Sequence, residues 1–259
     1  ARRLKAGLQS RGFGHLQVDT LFDLVEQATF VLADEVIFTN TNQFDYMLSL
    51  TRDPRLAEVV AAKARIREHP TPAPTAYQAV PTSYQVPDGV VNIGYFGSFY
   101  PNRGIGDVLT ALLNLPMDLR RQVRIHIFCN VAKDVKAQVA ALGLGNVVYV
   151  NNYLSYMEFL NATTLFDVLL VNDVTRDERL PINPFLPSKL SDYRGSGRSV
   201  WALIDEGSAM SRMPLTYVTP VGDSARIAHD LAKIIAQESR HPTVQPINDP
   251  TMEGHPRDQ

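Results

Sequence analysis

An α/β fold with a mostly parallel sheet is what this sequence predicts, on three observations. Apolar runs of strand length, such as VRIHIF at 123–128 and FDVLLV at 166–171, alternate with segments that are apolar at helical spacing. The gaps between those runs suit crossover helices rather than hairpins. The first run of the regular half ends on Gly97, as a strand-to-helix turn requires where backbone must pass close to a ligand or a neighbour.

The elements follow in order. Residues 21–33, LFDLVEQATFVLA, predict a helix, and EVIF at 35–38 predicts a short strand closed by the polar loop Thr39-Asn40-Thr41. A second helix is expected over 54–67, headed by Pro54, with Leu56, Val59, Val60 and Ile66 on one face. Residues 69–87, HPTPAPTAYQAVPTSYQVP, carry too much proline for a helix or a central strand, so a linker or an ordered surface crossing belongs there. The predicted units are therefore 1–88, 89–240 and a tail.

Beyond that boundary a strand is expected at 90–96 and a helix at 104–113 with Ile105, Val108, Leu109 and Leu112 inward. Strand 123–128, helix 131–142, strand 147–150, short helix 156–162 and strand 166–171 follow. Helix 188–195, strands 200–204 and 215–218, and helix 223–238, with Ile227, Leu231, Ile234 and Ile235 at core positions, complete the series. The tail, 241–259, holds four prolines and little apolar surface to offset its ordering entropy, and is expected to be flexible.

Composition narrows the function. With 259 residues, 45% of them hydrophobic, the core is ample, and a formal net charge of −2 argues against nucleic acid as partner. Any anion site must be local. The single cysteine, Cys129, excludes an internal disulfide and a thiolate metal cluster and fits a reducing, cytoplasmic compartment. The six histidines are scattered, with no metal-binding spacing and no HExxH, so no metal or cofactor is expected. No apolar run approaches the roughly 20 residues of a membrane span. ARRLKAGLQS has no initiator Met and reads as a basic helical start within something longer, whose N-terminal portion would carry part of a site.

Two stretches are suited to an anion. In NIGYFGSFYPNRGIG, Gly97 admits close backbone approach, the helix opening near Gly104 presents unpaired N–H groups, and Arg103 adds a forked cation. The same residues also fit a tight turn with a solvated arginine. In NPFLPSKLSDYRGSGRSV, Ser188 heads a helix with Lys189 in its first turn, where a cation opposes the helix dipole unless an anion is bound. A lysine extended into water, with Asp192 improving the first turn, is the alternative. The loop NNYL offers Tyr153 and Leu154 to a planar base, although Tyr153 also suits the core. Asp167 orients a loop or meets a ligand. Neither GxGxxG nor GxxxxGK[ST] occurs, which disfavours dinucleotide and P-loop chemistry.

In their order, GYFGSFYPNRG, FDVLLV and PSKLSDYRGSGRSVWAL resemble the nucleotide-sugar half of a GT-B glycosyltransferase of the family 4 type, over about residues 89–240. Residues 19–70 resemble the end of the partner N-terminal domain. The resemblance implies a Rossmann-like domain in a GT-B architecture whose N-terminal domain is incomplete here. It also implies a retaining, metal-independent transfer from a UDP-sugar or GDP-sugar to a carbohydrate or glycolipid acceptor. A lipid acceptor would bring the full-length protein to the inner face of the membrane.

Carried over, Arg103 stands where the family has a cation before glycine on the donor diphosphate. Ser98 replaces a frequent arginine, with Lys189 in compensation. Gly97, Gly104, Ser188 and Leu190 meet the donor at turns and helix starts, and Asp192 stands at the second acid, facing ribose. The first acid would be Pro184, flanked by Asn183, which is the substitute expected near the transferred sugar. That departure motivates a rival: a catalytically inactive GT-B-like domain binding a glycan or a protein. A nucleotide-sugar epimerase is a third reading.

Overall fold

The structure, a computed structural model, describes residues 1–100, 102–176 and 180–239. Its N-terminal part comprises α1 (Arg2–Ser10), α2 (Leu21–Leu32), β1 (Val36–Phe38), α3 (Thr41–Leu50), α4 (Pro54–Lys63) and β2 (Ala64–Ile66). A 3-10 turn at Pro74–Gln78 lies on the crossing. Then come β3 (Val91–Phe96), α5 (Gly106–Asn114), α6 (Met117–Arg120), β4 (Val123–Phe128), α7 (Ala132–Ala141), β5 (Val148–Asn151), α8 (Tyr156–Thr163) and β6 (Val168–Asn172). The series closes with α9 (Lys189–Gly195), β7 (Ser199–Ile204), β8 (Tyr217–Pro220) and α10 (Ser224–Glu238).

The larger sheet has the order β5-β4-β3-β6-β7-β8, and every neighbouring pair is parallel. This is a doubly wound, Rossmann-like sheet. Its strand order reverses between β3 and β6, so loops after these two strands diverge and leave a crevice at their carboxyl ends. All six residues of β3 are buried, because a central parallel strand is covered on both faces. On one face Val108, Leu109 and Leu112 of α5 pack with Ile227, Leu231 and Ile235 of α10. On the other, Leu190 and Tyr193 of α9 pack with Phe96, Phe128 and Phe166. Each such side chain contributes roughly 1.5–3 kcal/mol by leaving water.

The N-terminal part has its own core of Leu24, Ala28, Val31, Phe38, Leu56 and Val60. Helix α2 begins at a capping box in which Thr20 and Asp23 satisfy each other's backbone N–H. Helix α4 begins with Pro54 behind Asp53, whose carboxylate accepts from Leu56 N.

The structure departs from expectation in this part. Residues 41–50 form α3 instead of continuing the loop, because Asn40 caps the Gln43 N–H and Phe44, Met47 and Leu48 supply an apolar stripe against the core. The helix expected to reach Arg67 stops at Lys63, and 64–66 pair in parallel with β1. Ile66 therefore lies on a strand, exposed, and not on a helix face. The crossing is ordered: Tyr77 is buried, and Tyr84 packs edge-on against Phe128. The predicted tail, 241–259, lies outside the described residues.

Candidate functional site

A cavity of about 400 Å³ opens at the carboxyl ends of β3, β4 and β5, beside the start of α9. It is lined by Phe96, Gly97, Ser98, Arg103, Tyr153, Leu154, Ser188 and Lys189, together with Tyr100, Phe128, Tyr156, Phe159 and Pro187. A second cavity of similar volume lies at the amino end of β3, around Asp88 and Arg198. The first one occupies the place where open parallel sheets bind ligands.

Lys189 is the central group. Its Nζ is buried, finds no hydrogen-bond partner among the described residues, and lies 3.8 Å from the centre of the Tyr95 ring. Burial, with Arg103 as a second cause, pushes its pKa well below the ordinary lysine range. Gly97 makes room for it: with φ +146°, it occupies a conformation side chains rarely adopt, and a Cβ there would come 3.0 Å from Lys189 Nζ.

Arg103 approaches from the loop before α5. Its guanidinium lies 5.0 Å over the Tyr100 ring, and its Nε is buried without a partner among the described residues. Backbone bonds between Tyr100 and Arg103 in both directions close that loop, and Thr175 N donates to Asn102 O to tie it to the loop after β6. Two basic side chains with unpartnered nitrogens thus face one cavity.

Other expected residues are placed as follows. Ser98 and Tyr153 share a short hydroxyl–hydroxyl hydrogen bond on the rim, where Tyr153 is half exposed and not in the core. Leu154 and Ser188 line the cavity. Helix α5 starts two residues after Gly104, whose carbonyl accepts from Asn172 Nδ2, so Gly104 shapes the turn and is not a lining residue.

Three residues expected at the site do not line the cavity. Leu190 packs in the core between sheet and helices, and its N–H is taken by Pro187 O. Asp192 is buried behind the cavity: Tyr156 Oη donates to its carboxylate at 2.9 Å, and Tyr77 Oη donates to its carbonyl at 2.6 Å. Burial raises its pKa, and it is Tyr156 that lines the cavity in its place, its own pKa pushed up to about 12 by burial and by Asp192. Asn183 is buried and turned away, its Nδ2 donating to Asp205 Oδ2 at 3.2 Å and its Oδ1 accepting from Phe185 N. The carbonyls of Asn183 and Pro184 accept from Asn42 and Asn40 of the N-terminal part. That loop is occupied in joining the two parts of the chain. Asp167 has a structural role, accepting from Asn92 N at 2.7 Å across the sheet.

Sequence reasoning missed Tyr95, Tyr156 and Asp173. Asp173 follows β6 at the strand-order reversal; one of its oxygens accepts from Ser208 Oγ and Asp205 N, and the other is buried without a partner among the described residues. Burial pushes its pKa up to about 6, with Arg103 pulling the other way. Its position just after an apolar strand, in VND, was the available signal.

No family model and no curated protein matches the chain. Solved structures do. A glycosyltransferase involved in lipopolysaccharide biosynthesis, WaaG, superposes with a TM-score of 0.56 at 16% identity, over 83% of this chain and 60% of that one. Sucrose-phosphate synthase from Thermosynechococcus elongatus gives 0.56 at 18% identity, over 90% and 57%. A structure described as trehalose-6-phosphate from E. coli bound with UDP-2-fluoro glucose gives 0.55 at 11%, over 86% and 58%. The fold is that of the GT-B glycosyltransferases. The chain spans less than two thirds of the length of each of these three structures. Among the described residues no helix is long and apolar enough to cross a membrane.

Proposed function

We propose that this chain binds the diphosphate of a nucleotide sugar, UDP- or GDP-linked, as the donor side of a retaining, metal-independent glycosyltransferase. The observation that carries the reading is the convergence of Arg103 and Lys189 on one cavity beside Gly97. A departing diphosphate gathers negative charge, and two preorganised cations in a partly dry site stabilise that charge where it develops. Tyr153 and Leu154 offer the nucleobase a rim, and Tyr156, backed by Asp192, offers a hydroxyl to ribose. A structural neighbour bound with UDP-2-fluoro glucose supports the uridine form. The acceptor, a carbohydrate or glycolipid, would approach with contributions from further polypeptide.

The test is thermal protection. UDP or GDP is expected to raise the melting temperature, and Arg103→Ala combined with Lys189→Ala to abolish the rise. No protection by either nucleotide contradicts the reading.

The engagement of Asn183 and of the 183–184 carbonyls in internal hydrogen bonds favours one second reading, a binding domain that does not transfer sugar. Donor turnover by the full-length protein separates the two: binding without transfer or hydrolysis for a panel of UDP- and GDP-sugars selects the second.

A further inference from the structure

We propose that anion capture at this site is coupled to uptake of a proton by Lys189, with Tyr95 as the residue that positions the lysine for it. The inference rests on the diphosphate site argued above and adds a property that fold and family likeness do not supply.

The argument is one of opposing solvation. An ammonium taken from water without an acceptor, and facing a guanidinium, favours release of its proton, because neither burial nor a like charge supports the charged form. Lys189 meets each condition: its Nζ is buried and unpartnered among the described residues, and Arg103 is the charge that bears on it. The ring of Tyr95, on the fully buried strand β3, is the group placed to hold it, 3.8 Å beneath the nitrogen. Tyr95 is in turn fixed by stacking on Phe99, with ring centres 4.8 Å apart. A cation over an aromatic face is stabilised, though less than by a carboxylate or phosphate.

The other charged and titratable groups around the pair do not supply an anion to Lys189 itself. Tyr153 and Cys129 bear on Tyr95 from the ends of neighbouring strands. Asp173, at the end of β6, is ionised at pH 8 with its pKa of about 6, but it bears on Arg103, and its Oδ2 is taken by Ser208 Oγ and Asp205 N, so its charge does not serve Lys189. Asp192 and Tyr193, on Lys189's own helix, direct their polar atoms to Tyr156 and to Phe96 N. A diphosphate between Arg103 and Lys189 reverses the balance, and the amine takes a proton from solvent as the anion arrives. The proton passes to Nζ, and no covalent bond of the ligand changes. Affinity is therefore highest at low pH and falls, by up to tenfold per pH unit, between the free and the ligand-bound pKa of Lys189.

The experiment is calorimetric titration of the whole chain with UDP and with GDP at pH 8 and at a series of lower pH values, each in two buffers of different ionisation enthalpy. At pH 8 a terminal phosphate, with a second pKa near 6, is already ionised, so uptake is the protein's. The expected result is uptake approaching one proton per site. Lys189→Arg is expected to bind with no uptake, because a guanidinium stays charged. Tyr95→Phe is expected to keep the wild-type uptake, and Tyr95→Leu to move its onset to lower pH by roughly one unit, which a purely structural role for the ring does not predict. Binding without uptake, or uptake that persists in Lys189→Arg, overturns the proposal and leaves the diphosphate site standing. Failure of either nucleotide to bind overturns both.

Discussion

Two buried polar clusters, one on the sheet and one at its carboxyl edge, are finished differently. Around His126 every link closes: Asn151 Nδ2 donates to Tyr84 Oη, Tyr84 Oη to His126 Nδ1, His126 Nε2 to Asn92 Oδ1, and Asn92 Nδ2 to the carbonyls of Pro87 and Val90. Around Lys189 the links stay open, with Lys189 Nζ, Arg103 Nε and one oxygen of Asp173 buried and unpartnered among the described residues. Most buried polar groups that serve only the fold are satisfied within it, although Gln27 Oε1 and Arg120 Nε, far from the cavity, are also without a partner among the described residues. The His126 cluster pins the crossing to the sheet and closes on itself; the Lys189 cluster keeps the open donors that the proposed diphosphate would fill.

The comparison breaks first on pH. Burial, aided by Arg124, pushes the His126 pKa down to about 4, below the roughly 6.5 of an unfolded histidine. The unfolded chain then binds the extra proton, so this contribution is full above about pH 6.5 and is lost as pH falls toward 4, by up to about 3 kcal/mol. The stability gap between wild type and His126→Gln, measured by urea unfolding, is expected to shrink across that window. Asp173 works in the opposite sense: with a pKa near 6 its folded form holds a proton longer, so stability falls as pH rises from about 4 to 6. Asp173→Asn is expected to remove that fall. Matching slopes in the two variants would dissolve the distinction between the clusters.

A smaller effect sharpens it. Tyr84→Phe leaves His126 Nδ1 without its donor and is expected to cost about 1–3 kcal/mol, with UDP or GDP affinity unchanged. Lys189→Met is expected to do the reverse: to gain about 1 kcal/mol by removing a buried amine without an acceptor, and to weaken nucleotide binding at least tenfold. Chemical denaturation beside calorimetric titration reads both. Smallest is Ser98→Ala, which removes a rim hydrogen bond at the surface and is expected to shift stability by no more than about 0.5 kcal/mol.

Much of this was legible in the sequence, and the limits have physical causes. Strand β4 was plain as a short, almost wholly buried apolar run, and helix α10 because its burial follows the helical period. Helix α3 was hidden because its first turn is polar, and β2 because ARI follows a helix without a break, its partner β1 lying 28 residues upstream in register. At the site, Arg103, Lys189 and Gly97 were readable from loop and helix-start chemistry. Tyr95, Tyr156 and Asp173 were not, because what sets them apart is a neighbour on another strand or helix. Asn183 and Leu190 lie outside the cavity lining for the same reason: position along the chain does not give the direction of a side chain.

The central claim, that Arg103 and Lys189 together hold a diphosphate, is tested most directly by a crystal structure with UDP or GDP bound. The account predicts phosphate oxygens within hydrogen-bonding distance of both the Arg103 guanidinium and Lys189 Nζ, beside the backbone of Gly97. A nucleotide seated elsewhere, with either cation unengaged, would contradict it.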